Sequence, residues 1–89
     1  MSKRALIMSE EDNVAIAIQP LKKGDVVEIP NGRVVKAAED IPISHKIAIA
    51  PIKIHEPVIR YGSEIGYATC EIAQGQWVHI HNIDAFDII

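Results

Sequence analysis

The stretch Val26-Val27-Glu28-Ile29-Pro30-Asn31-Gly32-Arg33-Val34-Val35-Lys36 decides the class of fold. Two runs rich in β-branched residues flank Asn31-Gly32, a dipeptide that supplies the positive φ angles of a tight hairpin turn. Valine and isoleucine favour extended backbone because their branched side chains pack well on a pleated surface. The stretch therefore predicts a β-hairpin with strands Val26–Ile29 and Arg33–Lys36.

Outward from this hairpin, the chain alternates short apolar runs with polar, glycine or proline punctuation. The run at 14–18 is apolar on both faces, as in a strand in the middle of a core, although a short helix is the competing interpretation. Residues 37–42 are expected to hold a short helical turn that Pro42 ends. No internal repeat is evident. The other predicted strands are 5–8, the later half of 44–50, 52–54, 58–61 and 76–81.

Length and composition narrow the class of protein. At 89 residues the chain is one domain, expected to be small, mainly β and built of short bent strands with at most short helical turns. The formal charge is −3 and the basic residues form no run, which disfavours nucleic-acid binding. Residues 1–11 are expected to form an N-terminal strand and turn, whose apolar run is too short for a signal peptide or a membrane span. We expect a soluble, cytoplasmic chain with no membrane partner.

Cysteine usage agrees with that compartment. Cys70 is the single cysteine, which excludes an internal disulfide and fits a reducing environment. No base stands beside it in the sequence. We therefore expect an inert, half-buried thiol.

The segment Trp77-Val78-His79-Ile80-His81 contains the side chains best suited to proton transfer or metal binding. On an extended strand Trp77, His79 and His81 share one face, because successive side chains alternate. Imidazole suits proton transfer and metal ligation near neutral pH. A His-x-His pair is nevertheless a weak metal signal, since two ligands do not close a site. The alternative is a polar strand face packed by Trp77.

Several motifs together resemble one known family. They occur in the expected order over about residues 12 to 82. The motifs are Asp-Asn-Val-Ala at 12–15, Gly-Asp at 24–25, His-Lys-Ile-Ala at 45–48, Val-Ile-Arg-Tyr-Gly at 58–62, Ile-Gly at 65–66 and Trp-Val-His-Ile-His-Asn at 77–82. The set resembles the SAF-type (β-clip) N-terminal domain of altronate and galactarate dehydratases. It also resembles the separate small subunit of two-subunit altronate dehydratases and of sulfolactate sulfo-lyase. Arg60 stands where the family usually has lysine, and Ser44 where it has glycine.

The resemblance implies a small SAF-like domain over 1–89 that is inactive alone. Its partner would be a large catalytic subunit of a lyase, onto which the tail at 83–89 docks, and a homo-oligomer stays open. The substrate would be a small hydroxy acid. The assembled enzyme would use a divalent metal, iron or manganese. The alternatives are a sulfo-lyase subunit and a non-catalytic module for acid or carbohydrate binding or for assembly.

Dehydration of a sugar acid removes the proton α to the carboxylate and expels the β-hydroxyl, so it needs a base, an acid and positive charge. By resemblance, His45 and Lys46 would be the catalytic residues, with Lys46 or Arg60 holding the carboxylate. The structural alternatives are a histidine that caps a strand and two solvated cations. The remaining assignments by resemblance are Asp12, Asn13, Arg60 and Tyr61 for substrate binding and His79 and His81 for metal.

Two of these residues have an equally weighted alternative. Asp12 and Asn13 are typical of turns in which the side chain bonds its own backbone. His55, before Glu56-Pro57, is expected to be a surface turn residue without a functional role.

Overall fold

The computed structural model describes residues 3–30 and 32–85, and in this part of the chain every regular element is a strand. The prediction of a small, mainly β domain is confirmed. The described part contains no helix long and apolar enough to cross a membrane. The strands are β1 (Lys3–Leu6), β2 (Val14–Ala17), β3 (Val26–Ile29), β4 (Arg33–Lys36), β5 (Lys46–Ala48), β6 (Pro57–Arg60), β7 (Ser63–Ala68), β8 (Trp77–Val78) and β9 (Ile83–Asp84).

The strands form two sheets. Six of them make one sheet in the order β4-β3-β1-β2-β5-β8, and the other three make a second sheet in the order β6-β7-β9. β1 and β3 run parallel, and the remaining pairs are antiparallel. The predicted hairpin is confirmed, with Val26 opposite Lys36 and Ile29 opposite Arg33. Asn31 of its turn lies outside the described residues.

Other predictions need correction. The predicted helical turn at 37–42 is wrong, because Ile41 instead pairs with Leu21 in an isolated bridge. The predicted strand at 52–54 is reduced to one bridge between Ile52 and Ile72. The strand predicted at 76–81 ends at Val78. The predicted half-buried thiol of Cys70 is exposed.

Two strands were missed, β7 and β9. β7 was not predicted because the glycines at 62 and 66 are typical of a loop. In the structure Gly66 is required within the strand, because a Cβ there would lie 2.3 Å from the carbonyl oxygen of Asp84 on β9. Ile83, expected in a tail, is half-buried against the core and pairs with Ala68. The rest of that tail, 86–89, lies outside the described residues.

The structure reveals an internal repeat that the sequence analysis missed. The bridge between Leu21 and Ile41 and the bridge between Ile52 and Ile72 are related by an offset of 31 residues. The same offset superimposes the β3–β4 hairpin on the β6–β7 hairpin and β5 on β8. The repeat escaped notice because the two halves share a pattern of turns and buried positions more than residue identity.

Within residues 3–30 and 32–85, each half contains two copies of one tight turn, which makes four copies. In every copy one residue has a positive φ angle, and the next residue's backbone N–H donates to the carbonyl three residues before it. The four positive-φ residues are Gly24 (91°), Ser44 (71°), His55 (73°) and Gly75 (93°). His55 is an exposed turn residue, as predicted.

The core has two parts, one on each face of the central strands. Val14 and Ala48 pack into one hydrophobic cluster with residues of the β6–β7 sheet, whereas their neighbours Ala15 and Ile47 pack into the other. β2 and β5 are therefore covered on both faces, and for β2 this is what the apolar run at 14–18 predicted. This leaves β8 at the edge of the six-stranded sheet, beside β5.

Candidate functional site

Trp77 is the centre of a ring cluster at this sheet edge. It begins β8, lies opposite Ile47 of β5, and packs its partly buried indole against the core. Its Nε1–H donates a hydrogen bond to Nδ1 of His45 over 3.1 Å. Since His45 directly precedes β5, the pairing of β5 with β8 brings two residues distant in sequence into contact.

Three histidines gather around this indole. The His79 ring stacks on Trp77 with an interplanar angle of 9° and a centroid distance of 5.4 Å. The His81 ring is tilted against the same indole at 5.2 Å, and the rings of His45 and His79 are 4.6 Å apart. Trp77, His79 and His81 were expected to meet along a strand, but a turn at residues 80–82 brings them together instead.

Asn82 holds this turn in shape, and the sequence analysis did not assign it a role. Its Oδ1 accepts from the backbone N–H of His79 at 2.9 Å, and its Nδ2 donates to the carbonyl of Trp77 at 2.8 Å. Asn82 is buried, with only 5% of the residue exposed. Its place at the end of the Trp-Val-His-Ile-His-Asn motif was the available signal.

Glu39 is a second residue that was missed. Its Oε2 accepts from the backbone N–H of Trp77 at 3.0 Å, so a half-buried carboxylate fixes the start of β8. Nothing in the local sequence indicates this contact, which spans 38 residues.

Lys46 extends the site toward the second sheet. It is half-buried on β5, and burial together with the nearby charge of Arg60 lowers the pKa of its ammonium group. Among the described residues, neither Lys46 nor Arg60 forms a salt bridge. In the part of the chain that the structure describes, the charge of Arg60 therefore acts on Lys46 while no carboxylate lies within salt-bridge distance of either cation.

His79 experiences the same field. Its pKa is lowered first by desolvation and then by electrostatic interactions with His45, Lys46 and His81, which favours the neutral form of the ring. An anion bound nearby would pair with the charges of Lys46 and Arg60 and would favour protonation of the His79 ring. The cluster of His45, Lys46, Arg60 and His79 is therefore suited to bind an acid.

Arg60 and Tyr61 stand together at the end of β6. The guanidinium carbon lies 4.5 Å from the centre of the Tyr61 ring, and Nη2 donates to the Tyr61 hydroxyl at 3.3 Å. The Nε of Arg60 is buried and has no hydrogen-bond partner among the described residues. A buried donor of this kind is costly unless a ligand or a partner chain satisfies it.

Asp12 and Asn13 occupy structural positions. The Asp12 carboxylate accepts from the backbone N–H groups of Met8, Ser9 and Gly62, and the amide of Asn13 bonds Pro57 and Ile59 on β6. Burial acts to raise the pKa of Asp12, but the backbone hydrogen bonds outweigh it and the pKa is lowered. Both residues join the β1–β2 turn to the β6–β7 hairpin, and their predicted contact with substrate stays a prediction.

The predicted metal ligands do not form a complete site within the described residues. His79 and His81 both contact Trp77, but no group of three or more histidine, cysteine or acidic side chains is placed to hold a metal ion there. Zinc sites use three or four protein ligands, and non-haem iron sites commonly use two histidines and one carboxylate. The residues described do not by themselves fit an iron or manganese centre.

Comparison with known proteins agrees with this architecture. Residues 3–85 match the family model described as the altronate/galactarate dehydratase SAF domain. The chain belongs to this family. The match covers both sheets and the ring cluster around Trp77.

The relatives of this SAF domain are lyases. The altronate dehydratase of Escherichia coli K12 is 42% identical over 71 residues, which are 80% of this chain and 14% of the relative. The altronate dehydratase of Bacillus subtilis 168 is 32% identical over 80 residues, which are 90% of this chain and 16% of the relative. The alpha subunit of (2R)-sulfolactate sulfo-lyase from Chromohalobacter salexigens is 46% identical over 43 residues, 48% of this chain and 46% of that subunit. The chain spans about one sixth of the length of the altronate dehydratases.

Proposed function

We propose that this SAF domain is the small subunit of a sugar-acid hydro-lyase of the altronate dehydratase type. It binds the hydroxy-acid substrate at the cluster of His45, Lys46, Arg60 and His79, and a large catalytic subunit completes the active site. The small subunit alone has no turnover. The relatives that carry this domain within one much longer chain support the need for a larger partner.

The unpaired positive charge of the cluster is the observation that carries the proposal. Lys46 is half-buried beside Arg60, and the described residues offer neither one a salt bridge. Keeping two cations together costs free energy in the free domain. A carboxylate bound between them recovers that energy, and a fork of N–H donors on Arg60 suits a carboxylate in particular.

The chemistry of elimination needs such a group. Removal of the proton α to a carboxylate places negative charge on the carboxylate oxygens, and nearby fixed cations stabilise it. His45 stands at the edge of the cluster and can hydrogen-bond a substrate oxygen. The metal that the resemblance implies would be held with ligands from the large subunit, to which His79 or His81 adds an imidazole.

An apolar rim beside the cluster supports a shared active site. Ile80, between the two histidines, is 83% exposed, and Ile43 on the turn before His45 is 52% exposed. Tyr61, beside Arg60, is 53% exposed. Large apolar side chains around a polar site are typical of surfaces that a partner covers.

A sulfo-lyase is the second candidate, and one observation favours it. The 43 residues matched to the sulfolactate sulfo-lyase alpha subunit of Chromohalobacter salexigens are 46% identical, against 42% over the 71 residues matched to the altronate dehydratase of Escherichia coli. The leaving group would then be sulfite rather than water. The demand for cations around the carboxylate is the same in both reactions.

Reconstitution tests the proposal. The chain is co-expressed with a large dehydratase chain from the same organism, and the purified pair is assayed with altronate, galactarate and sulfolactate. We expect turnover by the pair and none by either chain alone, with a 2-keto-3-deoxy acid as product. Sulfite release would transfer the assignment to the sulfo-lyase, and full activity of the large chain alone would refute the subunit role.

A further inference from the structure

The four copies of the repeated turn differ in one hydrogen bond. In three of them the residue after the positive-φ position uses its side-chain oxygen to accept from the backbone N–H three residues earlier. These contacts join Asp25 to Lys22 at 2.8 Å, Glu56 to Lys53 at 2.8 Å and Gln76 to Ala73 at 2.6 Å. We call this contact the turn lock.

The fourth copy, at residues 41–46, has no turn lock. The residue that would donate is Pro42, which has no backbone N–H. The backbone of this turn is otherwise the same, since the N–H of His45 donates to the carbonyl of Pro42 at 3.1 Å and Ser44 has a φ of 71°. The side chain at position 45 is therefore released from the turn while the turn itself is kept.

The released side chain is held by Trp77 instead. An indole Nε1–H only donates, so Nδ1 of His45 must present a lone pair to form the 3.1 Å bond. A neutral imidazole that is unprotonated at Nδ1 carries its hydrogen on Nε2. The contact with Trp77 thus selects one of the two tautomers.

We infer that the turn at 41–46 is the functionally specialised copy, in which Pro42 frees His45 and Trp77 sets it to offer Nε2–H as a hydrogen-bond donor. Resting on the proposed function, this makes His45 a donor to an oxygen of the hydroxy-acid substrate and not the base that removes the α-proton. Pro42 and Trp77 are positioning residues. Their effect on His45 can be measured both in the domain alone and in the assembled enzyme.

The first test measures the turn lock by thermal unfolding of four variants. With Pro42→Ala, which restores the backbone N–H, His45→Asp is expected to melt about 4 °C above His45→Ala, because one added hydrogen bond shifts the melting temperature of a small domain by that much. With Pro42 retained, the same two substitutions at position 45 are expected to melt together. An equal difference in both backgrounds would overturn the role of Pro42.

The second test observes the tautomer in the unaltered 89-residue chain. Nitrogen-15 NMR distinguishes the protonated from the unprotonated ring nitrogen, and we expect Nε2 protonated and Nδ1 unprotonated for His45. A proton on Nδ1, or an even mixture of tautomers, would overturn the inference. The result does not depend on the identity of the enzyme, so it stands apart from the proposed function.

The third test separates donor from base in the assembled enzyme. His45→Gln retains an N–H donor at about the reach of Nε2, whereas His45→Ala retains none. We expect kcat of the glutamine variant to be at least 10-fold above that of the alanine variant. Equal loss of kcat in both variants would show a base at position 45 and overturn the donor role, while absence of any turnover by the wild-type pair would refute the proposed function alone.

Discussion

The indole N–H of Trp77 donates to Nδ1 of His45 over 3.1 Å, across the pairing of β5 with β8. This bond joins the two segments that carry the resemblance to the dehydratases, His-Lys-Ile-Ala at 45–48 and the closing motif at 77–82. It makes the geometry of the candidate site depend on the position of β8 at the sheet edge. Substitutions that displace β8 should therefore affect function and stability together.

Gly75 offers a direct test of how β8 is placed. A Cβ at this position would lie 2.2 Å from the carbonyl oxygen of Lys36, at a φ of 93°. Gly75→Ala is expected to lower the free energy of unfolding by more than about 2 kcal/mol, from backbone strain and the steric clash combined. Gly24→Ala is the matched control, because its φ is 91° but no atom lies within 4 Å of the added Cβ. Equal losses in urea unfolding would show that the contact with Lys36 contributes nothing.

The lowered pKa of Asp12 predicts that the free energy of unfolding falls at acid pH. Its pKa is lowered in the folded state because the backbone hydrogen bonds to the carboxylate outweigh the effect of burial. The stabilisation is therefore complete above the ordinary pKa of an aspartate and is lost as the pH falls through the lowered value. Asp12→Asn is expected to lower the free energy of unfolding at pH 7 and to make it less sensitive to acid between about pH 5 and pH 2.

The control for this prediction is Glu10→Gln, at an exposed carboxylate on the same turn. Urea unfolding at several pH values should give parallel curves for this control and for the wild type. The role of Asp12 is contradicted if Asp12→Asn also keeps the wild-type slope with pH.

Asn82 should set the shape of the histidine turn. Asn82→Ala removes two hydrogen bonds in a residue that is 5% exposed, and the expected loss in free energy of unfolding is about 1–3 kcal/mol. Since Trp77 is the single tryptophan, its fluorescence reports on the stacked His79 ring. We expect a changed emission in Asn82→Ala and none in Gln74→Ala, at an exposed position nearby. Unchanged emission in both would show that Asn82 does not position the rings.

Ile80 should contribute to binding of the large subunit. It is 83% exposed between His79 and His81, so Ile80→Ser removes apolar surface without disturbing the core. We expect affinity for the large subunit to fall about 10-fold by calorimetry, in line with loss of one buried apolar side chain at an interface. Val34→Ser is the control, at an exposed position on β4 at the opposite edge of the sheet. Equal effects of the two substitutions would place the interface elsewhere.

Local patterns were sufficient to predict some elements. The β3–β4 hairpin was predicted with its bounds because the turn dipeptide and two β-branched runs all act within eleven residues. β2 was predicted because its residues are apolar on both faces. β7 was missed, since the glycine at position 66 reflects a contact with Asp84 that only the folded chain makes. The internal repeat was missed because its two halves share turns and buried positions more than residue identity.

The candidate site shows the same division. Trp77, His79 and His81 were found by their spacing, and they do gather, but through a turn and not along the predicted strand. The contact of Glu39 with Trp77 depends on long-range pairing that no local pattern indicates. The lack of a turn lock at His45 becomes visible only when the four turns are compared in space.

Binding of the substrate at Lys46 is tested most directly by the kinetics of Lys46→Met in the reconstituted enzyme. The control is Lys53→Met, at an exposed lysine on one of the repeated turns. Methionine keeps the length of the side chain and removes its charge, so loss of the carboxylate contact should raise KM for the hydroxy acid at least 10-fold in Lys46→Met and leave Lys53→Met like the wild type. If the two variants have the same kcat and KM, the cluster at Lys46 does not bind the substrate and the proposed substrate site is wrong.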